Sequence, residues 1–246
     1  LSMKEFKYTT KFNISAGVNV GNKECFASDK LVTTANVENL KELMPEEESR
    51  AKNPDLLYSA FPAFVANLIN DNGHGIMTKE AKAIAPFFKD KQCNIEHMRS
   101  YIVGHIVNYG FSSFAANELL EESAINDDSL DQFNISLAAV VYRVADRYFA
   151  EALEDSTNPK HYLFQDISAS WELGFDEFII ALGSRQLSEA DIVTDPKQVE
   201  ELSAFLKSEG GTGFMNDGTP VYLVVTGSED SMPTPLGIGF TSSPAA

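Results

Sequence analysis

Basic residues are scarce in this 246-residue chain. Nineteen Lys+Arg stand against 36 Asp+Glu, giving a formal net charge of −17. Such a chain is repelled by phosphate backbones and anionic headgroups, which argues against nucleic acid and membrane surfaces as partners. Cysteine is nearly absent. Cys25 and Cys93 are the only two, too few for a disulfide framework, and they read as reduced thiols of an intracellular protein. No apolar run reaches the roughly 18 residues of a membrane span, and no secretory leader is expected, because Leu1-Ser2-Met3 reads as an added stretch ahead of Met3. There are four histidines and one tryptophan. What remains is ordinary for a globular protein, with 43% hydrophobic residues and a length that suits one large domain.

Periodicity and breakers suggest the elements. "KEFKYTTKFNISAGVNV" alternates well enough for one or two strands. "ANVENLKELMPEEESRA" reads as a short helix ending in an acidic loop at Pro45. "NPDLLYSAFPAFVANLIN" is apolar at helical spacing behind an Asn53-Pro54-Asp55 start signal, and "MTKEAKAIAPFFKD" reads as a second helix capped by Thr78. Strands follow at "RSYIVGHIVNYGF", "NISLAAVVYRV", "DISASWELGF", "EFIIALGS", "PVYLVVTG" and "PLGIGFTSS". Helices are expected at "ADRYFAEALEDS" and at "DPKQVEELSAFLKS", the latter with Asp195 as N-cap and Gly210-Gly211 closing it. Strands and helices interleave without regular alternation. The expected class is therefore α+β, with a mostly antiparallel, barrel-like sheet surrounded by helices, in a single domain over 1–246 that carries a helical insertion at about 54–90.

Three short motifs resemble binding loops without their chemistry. "NDNGHGIMTKEA" (70–81) places Asn70, Asn72, His74 and Gly75 like a calcium loop, but Ala81 stands where a bidentate Glu belongs. A hard cation needs those carboxylates, so the loop reads as a turn. "SEGGTGFMNDG" contains Gly210, Gly211 and Gly213 but no Lys-Ser/Thr of a phosphate loop. Cys93, His97 and His105 match no closed zinc site. No metal and no cofactor are expected.

The histidines of "QCNIEHMRSYIVGHIV" need another account. If His97 and His105 share one strand, they lie on one face about 26 Å apart, too far to serve one atom. His97, beside Glu96 at the strand entrance, has the better access. A histidine base needs a nucleophile on a rigid neighbour. "DISASWELGF" offers Ser168 and Ser170, which share a strand face with Glu172, and spacing alone does not choose between them.

Three patches resemble the prohead (capsid-maturation) serine proteases of tailed bacteriophages, relatives of the herpesvirus assemblins. "NIEHMRSYIVGHIVNYGF" is similar to their histidine segment, "ISASWELGFDEFIIAL" to their serine segment, and "PLGIGFTSSPAA" to their closing strand. The patches occur in the family's order and cover roughly residues 90–246; the 54–90 segment lies outside them. The resemblance implies an assemblin-like barrel and a serine endopeptidase with His97 as general base and Ser170 as nucleophile. Ser168 is the alternative nucleophile. Glu172 is the candidate third member, with Asp176, Glu177 and His105 as other options. The implied substrates are phage scaffold and major capsid proteins and the protease itself, inside the assembling prohead in the host cytoplasm, with a homo-oligomer as a further expectation. The competing reading is a non-enzymatic virion or scaffold-associated protein with the same fold.

Overall fold

The computed structural model describes residues 6–14, 39–158, 160–163 and 166–241; at Thr9–Ile14, Ser168, Ser170 and Trp171 it describes the backbone but not the side chain. Cys25 and the 242–246 end fall outside the described residues.

Two sheets carry the fold. The larger contains β1 (Tyr8–Ile14), β2 (Leu56–Ala66), β4 (Gln92–Ile95), β5 (Ile102–Ser113), β6 (Leu119–Leu120), β7 (Phe133–Tyr142), β8 (Ser168–Phe175) and β12 (Thr234–Thr241). Its order is β1-β8-β12-β4-β5-β7-β2, with β6 beside β5. The smaller contains β3 (His74–Ile76), β9 (Glu177–Leu182), β10 (Asp191–Val193) and β11 (Val221–Thr226), in the order β10-β9-β11-β3. Among the described pairs only β12–β4 and β11–β3 run parallel. Four helices accompany them: α1 (Glu47–Ala51), α2 (Thr78–Ile84), α3 (Arg147–Thr157) and α4 (Pro196–Ser203). The class is α+β, as expected. The closed barrel is not: among the described residues the edges β1 and β2 do not pair, and the strands form two open mixed sheets.

One buried cluster joins the two sheets: Val103, Leu137, Val141, Leu173, Ile238 and Phe240 of the first belong to it together with Ile180, Leu223 and Val225 of the second. The first sheet curls over this core, so that Phe61 of β2 meets Phe240 of β12 with ring centroids 5.9 Å apart. The chain passes between sheets at Asp176, whose carboxylate accepts the Lys7 N–H at 2.9 Å and the Ser231 hydroxyl at 2.6 Å. That double anchor holds the corner at which β8 becomes β9.

The expected helical insertion is the main correction. Residues 56–66 form β2, which pairs antiparallel with β7 from Leu56↔Tyr142 to Ala66↔Phe133. From Ser59 onward every residue of β2 is buried, on both faces, because a second cluster of Leu40, Leu43, Ala60 and Ala138 covers the outer side. A strand buried on both faces loses the polar alternation that marks strands in sequence. Pro62 sits where the β2–β7 register shifts, as an edge strand permits. Within 54–90 only α2 is an α-helix, followed by a 3₁₀ turn at Ala85–Phe88. Its N-cap is Met77, not Thr78, whose hydroxyl instead accepts from Asn67 and donates to the Ser129 carbonyl. The acidic stretch expected as a loop forms α1. Asp146 and Asp195 cap α3 and α4, accepting the N–H of Phe149 and Gln198. No helix among the described residues is long and apolar enough to cross a membrane.

Candidate active site

His97 does not share a strand with His105. β4 ends at Ile95, and the chain reverses through residues 96–101 before β5 begins. Glu96 and His97 have φ of 51° and 59°, a left-handed pair that costs roughly 1–2 kcal/mol per non-glycine residue. The turn is held against that strain: Glu96 N–H donates to the Phe240 carbonyl at 2.9 Å, and Met98 N–H to that of Ile95 at 3.0 Å. The expected 26 Å separation on one straight strand therefore has no basis. His105 lies within β5 opposite Gln92 and Val140, and its Nδ1 is 2.6 Å from the Tyr142 hydroxyl.

The reversal lowers His97 onto β12. A Cβ built on Gly239 would lie 2.9 Å from both the backbone N and Nδ1 of His97 and 3.0 Å from Cε1. A Cβ on Gly237 would lie 2.2 Å from Nε2 of Gln92. Ile238 and Phe240 point into the core, so both glycines present bare backbone on the outer face. Next to this stripped face runs β8. Its Ala169 and Leu173 are core residues, which leaves positions 168, 170 and 172 on the outer face. The register sets Glu172 opposite Gly237, Ser170 opposite Gly239 and Ser168 opposite Thr241. Directly opposed residues have Cα atoms about 4.5–5.5 Å apart. The imidazole is thus seated on the strand residue directly opposite position 170, and position 168 is one pair further along.

Glu172 is 9% exposed. Its Oε2 accepts from Nη2 of Arg99 at 3.0 Å and from Nε at 3.3 Å, tying the histidine turn to the serine strand. A nearly buried carboxylate without a counter-ion is costly, although the 65% exposed Arg99 side chain reduces the loss. We expect Arg99→Ala to lower stability by about 1–2 kcal/mol. Glu172→Gln should cost less, since it keeps an acceptor and removes the charge. Urea unfolding of both variants is the measurement, and an Arg99→Ala midpoint equal to wild type would contradict the strap. A second tie runs from the Tyr101 hydroxyl to Oδ2 of Asp146 at 2.6 Å. This bond, together with the Phe149 N–H, holds the Asp146 carboxyl below its ordinary pKa.

The other acids are engaged elsewhere. Asp176 anchors the sheet corner, and Glu177 accepts from Ser228 at 3.3 Å. Cys93 is buried in the core, and burial pushes its thiol well above the usual range; His97 rests on the opposite side of the sheet. Among the described residues no group of three or more His, Cys, Asp or Glu is gathered that could hold a metal ion. In the 70–81 loop Asn70 Oδ1 accepts the His74 N–H at 2.9 Å, a turn-forming use of that side chain.

Sequence reasoning overlooked Arg99 and the paired glycines. "PLGIGF" did carry a signal: glycines two apart in a strand strip one face of it, which marks a close approach by other chain. Compared with known proteins, the chain matches no family model, no curated protein and no solved structure.

Proposed function

We propose that the chain is a serine endopeptidase of the prohead-maturation type, acting on phage scaffold and capsid proteins and on itself within the assembling shell. His97 is the general base and Ser170 the nucleophile. One juxtaposition carries the reading: the imidazole rests on Gly239, the register partner of Ser170. A base must come within hydrogen-bond reach of its nucleophile, and a glycine at 239 removes the side chain that would otherwise stand between the turn and the neighbouring strand.

In the proposed reaction His97 takes the Ser170 hydroxyl proton as the oxygen attacks a peptide carbonyl. The same proton then goes to the leaving amine, and water attacks the acyl-enzyme by the reverse route. Glu172, held by Arg99, is assigned to fixing the serine strand against the histidine turn. The test is a fluorophosphonate, which reports an activated serine without knowledge of the cleavage sequence. We expect one equivalent of label at Ser170, located by peptide mass mapping, and loss of labelling in His97→Ala. Absence of label from folded wild-type protein would favour the non-enzymatic virion reading.

A further inference from the structure

The two glycine-containing loops without binding chemistry of their own come together in space. The Asn70–His74 turn and the Lys207–Gly213 segment both line a cavity of about 260 Å³ at the β3 side of the smaller sheet. Asn70 N–H donates to the His74 carbonyl, and Gly73 N–H to that of Asn70, closing the first wall. In the second, Gly211 and Gly213 donate to the carbonyls of Leu206 and Phe205 at 2.8 and 2.7 Å. The Lys207 stem lies over Gly213, where an added Cβ would come within 3.1 Å of its Cε. Tyr222 and Phe214 supply aromatic surface, with Leu206 and Leu223 almost wholly buried behind it.

The charge in this cavity is opposite to that of the molecule. Arg185 reaches it with Nε on the Ile69 carbonyl at 2.9 Å and Nη2 on Asp71 at 2.6 Å. Lys207 has no ion-pair partner among the described residues. Two cations less the one carboxylate of Asp71 leave a lining charge of +1, in a chain of −17. His74 adds none, because burial lowers its pKa to about 4.

We infer that this cavity is a binding site for a small organic monocarboxylate with an apolar body, its carboxylate held by Lys207 and Arg185 and its body packed on Tyr222 and Phe214. A lining charge of +1 matches a monoanion and leaves a dianionic phosphate half compensated. The site is separate from the His97 turn and does not rest on the protease reading.

The probe is N-acetylphenylalanine, titrated calorimetrically into the full chain. Its carboxamide keeps the body without the charge, and inorganic phosphate supplies charge without the body. We expect saturable binding of the acid, at least about tenfold weaker binding of the amide, and weaker binding of phosphate. Lys207→Gln keeps most of the stem over Gly213, so it should fold normally. It should weaken the acid about tenfold and leave the amide unchanged, while Lys207→Arg should retain the acid. Equal affinity for acid and amide, phosphate binding as tightly as the acid, an unaffected Lys207→Gln, or no saturable heat up to about 10 mM acid would each overturn the assignment.

Discussion

Ser170→Ala should abolish processing of scaffold and capsid proteins in co-expression, while Ser168→Ala should leave it within a few-fold of wild type. By sequence both serines share a face of β8 with Glu172, so either could be the nucleophile. The register separates them. Ser170 is opposite Gly239, on which the His97 ring rests, whereas Ser168 is opposite Thr241 at the end of β12. A base moved by one strand pair, about 7 Å along the strand, is out of proton-transfer reach. Removing a nucleophile that works as a unit with its base costs several orders of magnitude in rate, so the outcome on a gel is all-or-none. Fragment masses identify the cut sites. Normal processing by Ser170→Ala with none by Ser168→Ala would shift the nucleophile by two residues and keep the enzyme. Normal processing by both variants would leave the fold as a structural virion component.

How legible all this was in the sequence depended on how each element meets solvent. β5 and β8 were readable because one face is core and the other is not. α4 was readable because Asp195 is a true side-chain cap, and α3 because its sequence is amphipathic and buries Ala150 and Leu153. β2 was not, since both its faces are covered and eleven nearly unbroken apolar residues carry no period that separates strand from helix. Its Asn53-Pro54-Asp55 signal was real but served a turn: Leu56 N–H donates to the Asn53 carbonyl, and Arg143 N–H to that of Asp55. The candidate site's geometry was half legible for a similar reason. Residue chemistry marked His97 and the serines, but nothing in Glu96-His97 announces a left-handed reversal, which sequence reading assigns to Gly, Asn or Asp. Without that reversal His97 could not be brought back over β12. The third-member question changed with it, because Glu172 answers to Arg99, a residue that only the turn brings near.

The second large effect is expected at a residue with no functional group. Gly239→Ala should lower kcat/KM for a cleaved peptide by about a hundredfold while the protein stays folded. Its backbone is not in the left-handed region that requires glycine, and alanine in a strand interior is favoured over glycine by roughly 0.5–1 kcal/mol. Against that stands the contact. The new methyl would sit 2.9 Å from the backbone N of His97 and 2.9 Å from Nδ1, closer than unbonded carbon and nitrogen tolerate. β12 is pinned between β8 and β4, so the part that moves is the 96–101 turn, already strained at two residues. The two terms nearly offset in stability, and the melting temperature should change by only a few degrees. They do not offset in catalysis, where about 1 Å of misplacement costs on the order of a hundredfold. Fluorophosphonate labelling of Ser170 should slow by a similar factor, which separates a displaced base from a lost substrate contact. A Gly239→Ala protein that cleaves and labels within about threefold of wild type would mean that the imidazole resting on β12 is not the base that activates the serine.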